Sequence, residues 1–227
     1  MQHAAREMIR VRRSATLSRA YSVRMAADRL RRVYDLQTQE ETDAYYTDWA
    51  STYDEELERN GYRTPGRCVE ALARFVPLDQ PVLDVGCGTG LSGVALAAGG
   101  FSDVSGQDVN DAMLDVARRR GVYREVRLAD LDDPFPFEPG TFAACTAIGV
   151  IGFGAAPATL LREVLDSMAP GGHLVFSFND LAVNDPGYGG ALAEVLDSGV
   201  AEQVFDEYGP HFDALGSESM VYVLRRR

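Results

Sequence analysis

The stretch Val82-Leu83-Asp84-Val85-Gly86-Cys87-Gly88-Thr89-Gly90 holds the residue types most open to a chemical reading. Val82, Leu83 and Val85 read as a buried strand, which breaks into three alternate glycines and then a small-residue helix, Leu91 to Ala98. Such a turn brings bare backbone against a ligand, because no Cβ holds the ligand away. Two ligand classes use it, dinucleotides and sulfonium nucleosides such as S-adenosylmethionine. Gly88-Thr89-Gly90-Leu91-Ser92-Gly93 is a literal G-x-G-x-x-G, although Gly86 has already opened the turn two residues earlier.

Asp84 separates the two classes. It sits inside the strand, two positions before the first glycine. Its side chain is expected near the strand's carboxyl end, where open α/β sheets bind ligands. A carboxylate there repels a pyrophosphate and suits the ammonium and sulfonium of S-adenosylmethionine. At an effective dielectric near 20 the difference is on the order of a few kcal/mol. The plainer reading is a glycine turn that serves only close packing of strand on helix.

Further acids follow at telling positions. Val104-Ser105-Gly106-Gln107-Asp108 reads as a second strand, and Asp108 lies about twenty residues beyond Gly88, where a ribose-binding carboxylate is expected. That acid serves either ligand. Asp130, after the short strand Val126 to Leu128, reads equally as an adenine contact, with Leu131 over the ring, or as an ordinary loop acid. Upstream, Thr38-Gln39-Glu40-Glu41 forms a capping box for a helix carrying Tyr46, Trp49 and Tyr53 on one face. That stripe either packs the helix on the domain or closes over a cationic ligand.

The remaining elements must position these residues. Thr64 and Pro65 read as N-cap and first turn of a helix through Phe75, and Asn110 caps a helix with Met113, Leu114 and Ala117 inward. Arg118-Arg119-Arg120-Gly121 closes that helix as a solvated basic end. Phe142 to Ile151 is nearly continuous in apolar residues, as in a strand buried on both faces. A helix over Pro157 to Met168, a strand over His173 to Phe178, a helix near Gly190 to Ser198 and strands near Val204–Tyr208 and Met220–Leu224 complete the chain. Alternating strands and helices predict an α/β, doubly wound, mostly parallel sheet covered on both faces.

Composition bounds the rest. The 227 residues carry a net charge of −12, unevenly spread. Residues 1–36 hold nine Arg against Glu7, Asp28 and Asp35, whereas the remainder holds thirteen Arg against thirty-one acids. So acidic a body is expected to repel phosphate backbones, which disfavours nucleic acid as a partner. The sparse set of Cys68, Cys87 and Cys145, with no C-x-x-C pair, suggests a reducing compartment and no metal site. Cys87 reads as a small residue in a tight turn. No run approaches a membrane span. The Arg-rich start, residues 1–36, reads as a flexible basic arm, with a mitochondrial transit peptide as the alternative to a cytoplasmic protein.

Val82 to Gly90, Gly106-Gln107-Asp108, Met113-Leu114 and Pro170-Gly171-Gly172 together resemble class I S-adenosylmethionine-dependent methyltransferases. Tyr46-Thr47-Asp48-Trp49-Ala50, Tyr53-Asp54, Tyr62-Arg63-Thr64-Pro65 and Val221-Tyr222-Val223-Leu224-Arg225 resemble, more narrowly, the Williams–Beuren syndrome methyltransferase-like group. The resemblance implies a seven-stranded Rossmann-like sheet over residues 77–227, its last strand antiparallel, under a helical cap at 37–76. It also implies S-adenosyl-L-methionine as cofactor, held by Asp84, Gly86, Cys87, Gly88, Gly90, Asp108, Val109, Met113, Asp130, Leu131 and Ile148, with Tyr46, Trp49 and Tyr53 closing over it. No dedicated catalytic residue is required, because the methyl is already activated; Asp180, Asp185 and His211 are the only bases in prospect. An acceptor pocket is expected around Gly149, Phe153, Asn179, Asp180 and Tyr188, suited to a small molecule. The competing functions are a cofactor-binding partner protein without turnover and a nicotinamide-dependent reductase.

Overall fold

The structure, a computed structural model, describes Arg29, Arg32, Val33, Leu36 and residues 38–130 and 135–227. The rest of the basic arm, and Leu131, lie outside the described residues.

Thr38 opens the first helix, α1 (Gln39–Trp49), by accepting from the Glu41 N–H at 3.1 Å, while the Glu41 carboxylate accepts from the Thr38 N–H at 3.3 Å. This is the reciprocal capping box expected from sequence. The helix is shorter than expected: a turn at 50–52 places Tyr53 at the head of a separate helix, α2 (Tyr53–Arg59). Ser51 and Thr52 bring hydroxyls that compete with helical hydrogen bonding, and the Thr52 side chain bonds Glu56 at 2.8 Å. The third helix, α3 (Thr64–Leu72), has Arg63 rather than Thr64 at its N-cap. The Thr64 hydroxyl is turned across the fold instead, to His211 and Ser219.

From there strands and helices alternate: β1 (Val82–Val85), α4 (Leu91–Ala98), β2 (Val104–Asp108), α5 (Asp111–Arg120), β3 (Val126–Leu128), β4 (Ala144–Ala147), α6 (Leu160–Ser167) and β5 (His173–Asn179). A short α7 (Asp180–Val183) and α8 (Pro186–Asp197) lead to the long strands β6 (Ala201–Phe212) and β7 (Ser217–Arg226). The fourth strand is far shorter than the apolar run containing it, because the chain turns away from the sheet at Gly149, whose φ is 71°.

The strands order as β3-β2-β1-β4-β5-β7-β6, with β7 antiparallel to both neighbours and the other pairs parallel. Strand order reverses between β1 and β4, which opens a crevice at their carboxyl ends. Alternate residues of the sheet feed two apolar layers. Leu83, Val85, Leu174 and Phe176 pack on Leu161, Val164 and Leu165 of α6. On the other face Val82, Val104, Val175 and Val223 pack on Cys68, Val69 and Leu72 of α3 and Leu96 of α4. A third cluster, Val33, Trp49, Leu57 and Phe212, seats the cap. Among the described residues no helix is long and apolar enough to cross a membrane, and no group of His, Cys, Asp and Glu is gathered to hold a metal.

Phe176 is fully buried, edge-on to Phe178 at 5.0 Å and stacked on Tyr222 at 5.1 Å. Phe176→Ala is expected to cost about 3–5 kcal/mol of stability, read as a lower urea midpoint with unchanged slope. An unmoved midpoint would contradict this account of the core.

Candidate functional site

Asp84 does not face the crevice. It is fully buried beneath the glycine turn, where three hydroxyls donate to it: Ser92 Oγ of α4 at 2.5 Å, Thr146 Oγ1 of β4 at 2.6 Å and the Tyr123 hydroxyl at 2.7 Å. Burial raises its carboxyl above the ordinary range, against the opposing pull of those donors. The expectation of a direct contact with the cofactor is therefore corrected. Asp84 ties β1, β4, α4 and the Tyr123 segment into one node under the loop.

The loop above it is held just as closely. At Gly86, φ 65°, a Cβ would come within 2.6 Å of the Val150 side chain. At Gly93 it would come within 2.3 Å of the Tyr123 ring, whose hydroxyl also accepts from the Gly93 N–H at 3.1 Å. Asp108, at the end of β2, accepts from the Gly88 N–H at 2.8 Å and the Asn110 N–H at 2.9 Å. Burial raises this carboxyl too. The Val109 backbone N–H acts on it as well, which leaves the carboxylate room for a further hydroxyl donor.

A cavity of about 310 Å³ opens over this loop, between sheet and cap. Of the residues expected at the cofactor, Gly86, Cys87, Gly88, Asp108, Val109, Met113 and Ile148 line it, with Tyr46 and Tyr53 of the cap. Burial pushes the Cys87 thiol well above its usual range, so it is a protonated packing group and not a nucleophile. Asp43, Asp108 and Glu163 line the cavity and, among the described residues, no Arg does. The charge that suits a cation and repels a pyrophosphate thus comes from these acids, not from Asp84.

Three more of the expected cofactor residues lie off the cavity wall, and a fourth is not among the described residues. Trp49 is buried one layer out; Gly90 turns its α-carbon toward Arg120 and Tyr123; Asp130 is exposed and off the cavity wall, which Ala129 forms instead; Leu131 is outside the described residues. Nor is Arg120 a solvated helix end. Its Nε donates to the Thr89 carbonyl at 2.5 Å, and its guanidinium pairs with Asp54 of α2, which also accepts from Thr89 Oγ1 at 2.6 Å. Asn110 makes a second latch. While Oδ1 caps α5 by accepting from the Met113 N–H, Nδ2 donates to the Asp43 carboxylate at 2.6 Å and to Thr47 Oγ1 at 2.8 Å. The cap is thereby pinned to the two loops that form the cavity floor.

A smaller lobe of about 70 Å³ adjoins the first, and Tyr46, Tyr53, Tyr62, Gly149 and Ala155 border both. Phe153 and Asn179 line it as expected of an acceptor pocket. Asp180 and Tyr188 do not: Asp180 holds the Tyr208 hydroxyl at 2.5 Å and the Glu218 N–H at 3.0 Å, and Tyr188 packs edge-on against Phe153 and Phe178. Tyr62, Ser177, His211 and Phe212 also form its wall; in the sequence Tyr62 stood only in a family motif and His211 only as a prospective base, and nothing marked Ser177 or Phe212. Of these four only His211 carries a group whose ordinary range is near neutrality; burial, against the Asp180 charge and with that of Arg67, lowers its imidazole to about 4.

Residues 83–176 match the family described as a methyltransferase domain. The chain is 35% identical over 132 residues to human methyltransferase-like protein 27, covering 56% of this chain and 54% of that protein. It is 48% identical over 88 residues to the bovine 18S rRNA (guanine-N(7))-methyltransferase, covering 38% of this chain and 30% of that one. A TehB-like S-adenosylmethionine-dependent methyltransferase from Corynebacterium glutamicum shares the fold, with a TM-score of 0.59, 22% identity and coverage of 81% and 99%. Residues 83–176 belong to the methyltransferase-domain family, and the chain has the fold of S-adenosylmethionine-dependent methyltransferases. It spans about half the length of the human relative and under a third of the bovine one. Proteins of this methyltransferase fold use S-adenosylmethionine as methyl donor. The bovine relative overturns one expectation: net charge does not exclude nucleic acid in this family. A whole-chain charge says nothing about the local potential at a methyltransferase's acceptor mouth.

Two outcomes test the geometry of this methyltransferase. Asp54→Ala frees Arg120 and Thr89 together, and S-adenosylhomocysteine is expected to bind about tenfold more weakly by calorimetry, the equivalent of roughly 1.4 kcal/mol. Wild-type affinity in that variant would mean the cap needs no latch. The second outcome concerns His211, which titrates near 6.5 when unfolded and near 4 when folded. Between those values the unfolded chain binds the extra proton, so this contribution to stability is lost as pH falls through the window. Asp84 and Asp108, with raised folded values, act in the opposite sense. The comparison is therefore wild type against His211→Phe, whose stability is expected to fall less steeply from pH 6.5 to 4. Parallel curves would refute it.

Proposed function

We propose that this protein transfers the methyl group of S-adenosylmethionine to a small planar acceptor seated in the aromatic lobe beside the donor. One observation carries the reading: the two lobes share Tyr46, Tyr53, Tyr62, Gly149 and Ala155 as walls, so their occupants meet. A sulfonium methyl needs only a nucleophile held in line with it and water kept out. The pinned cap, with Trp49 stacked on Tyr46 at 6.1 Å and edge-on to Tyr53 at 4.7 Å, serves the second need. The small lobe serves the first. Tyr62 lies stacked on Phe212 at 4.8 Å, and flat aromatic walls favour a flat ligand. A whole benzene ring needs about 150 Å³, so the acceptor's ring lies across the junction with one edge in the small lobe.

A second reading has its own support. The bovine relative is named for acting on a guanine of 18S rRNA, and a nucleotide flipped out of its stack would bring the same flat ring to the lobe.

Calorimetry with S-adenosylhomocysteine comes first, with NADH as control. Labelled S-adenosylmethionine is then supplied with either a small-metabolite extract or purified small-subunit rRNA. Label is expected in the metabolite fraction. Label in rRNA alone selects the second reading, and tight S-adenosylhomocysteine binding without transfer in either arm favours a cofactor-binding partner protein. Binding of NADH in place of S-adenosylhomocysteine would overturn both readings.

A further inference from the structure

One wall of the acceptor lobe comes from the Arg-rich segment ahead of the cap. Val33 is 6% exposed and lines the lobe together with Trp49, Leu57 and Phe212, the residues it clusters with. Two anchors hold it there. The first is Gly154, whose φ is 71°. A Cβ at that position would overlap the Val33 carbonyl and come within 2.5 Å of its Cγ1, so the turn is bare where Val33 crosses it. Phe153 and Ala155, on either side of Gly154, are walls of the lobe themselves. The second anchor is Arg29, which bridges the break between α1 and α2. Its guanidinium lies 3.3 Å from the Asp48 carboxylate of α1 and 3.9 Å from that of Glu56 of α2, and donates to the Thr52 hydroxyl between them at 3.4 Å. The Arg29 carbonyl accepts from the Tyr45 hydroxyl at 2.9 Å. Exposed ion pairs of this kind stabilise a fold by little. Contacts to both helices nonetheless fix the backbone at Arg29, and with it the approach to Val33.

With Val33 in place the small lobe holds about 70 Å³, whereas a benzene ring needs about 150 Å³. A ring that straddles the junction therefore has the donor on one side and the lobe walls at its far edge. Most of those walls are locked: Tyr62 is stacked on Phe212 at 4.8 Å, and Trp49 lies edge-on to Tyr53 at 4.7 Å. Val33 differs from them. It is one aliphatic side chain on a segment seated by side-chain contacts, so it is the wall whose size and position the chain can set separately. From this we infer that Val33 limits the acceptor to a single-ring compound, and that Arg29 is the positioning residue that keeps Val33 on the lobe. The inference rests on the methyltransferase reading above and narrows its substrate class. A fused bicycle, a purine base included, enters only with Val33 displaced.

The test uses the full chain loaded with S-adenosylhomocysteine and two neutral planar probes, benzamide and 2-naphthamide, each titrated by calorimetry. Burial of apolar area alone favours the larger probe. Wild type is expected to go the other way and bind benzamide about tenfold more tightly, the scale on which an apolar pocket discriminates by a methyl-sized group. Val33→Ala is expected to bring the probes level or reverse them, and Arg29→Ala to do the same without altering a lobe side chain. Arg29→Lys, which keeps the charge, is expected to retain most of the wild-type ratio. Should Val33→Ala fail to fold, Overhauser contacts in the wild type decide. Contacts between the Val33 methyls and bound benzamide support the inference, and their absence overturns it. Wild type that takes both probes alike, or neither, or an unchanged ratio in either alanine variant, overturns it as well. S-adenosylhomocysteine calorimetry on the same samples keeps the two readings apart. Its failure sinks the methyltransferase reading, while equal probe affinities beside normal cofactor binding sink only this one.

Discussion

Three hydroxyl groups converge on one buried carboxylate, and the geometry of the site depends on that node. Asp84 would be costly inside a sheet if unpaired. Ser92, Thr146 and Tyr123 satisfy it from three different segments. Each hydroxyl therefore fixes the relative position of its own element. Ser92 sets the angle at which α4 leaves the glycine turn, Thr146 sets β4 against β1, and Tyr123 packs the ring that forbids a side chain at Gly93. The loop is rigid because what lies under it is rigid.

On top of that loop the cap is held by polar latches more than by apolar burial. Its cluster around Trp49, Leu57 and Phe212 is small beside the two layers flanking the sheet. Asp54 reaches Thr89 and Arg120, and Asn110 reaches Asp43 and Thr47, so both latches end on loops that also floor the cavity. Latches that end on the floor couple closure of the cap to the shape of the cofactor site. A purely hydrophobic seat would hold the cap without that coupling. The aromatic groups on its underside then serve both lobes, closing one and bordering the other.

The acid that separated a sulfonium donor from a dinucleotide on sequence grounds carries a different task from the one its position suggested. The charge argument itself survives, because Asp43, Asp108 and Glu163 bring the same sign to the cavity wall. A strand residue two places before a turn has its face set by the pleat, and Asp84 lies on the face that α4 covers. Asp180 is a similar case. It sits at the carboxyl end of β5, close to the acceptor lobe in sequence terms, yet Tyr208 and Glu218 of the β6–β7 hairpin engage its carboxylate.

What the chain determined by itself is local. The strand–glycine–helix turn, the Thr38 capping box, the Asn110 cap and the αβ alternation all follow from steric and hydrogen-bonding rules acting within a few residues. The position of Asp108 on the cavity wall was legible for the same reason, since a strand end and a loop fix it. Only the tertiary structure decided the partners of Asp84, the inward turn of Arg120, the break between Trp49 and Tyr53, and the polar wall of Tyr62, Ser177 and His211. Thr64 and His211 are 147 residues apart, and Asp84 and Thr146 are 62 apart. No periodicity or cap signal spans such separations. The Asp84–Thr146 contact exists because β4 pairs directly with β1, and the Thr64–His211 contact because α3 packs across β7 and β6.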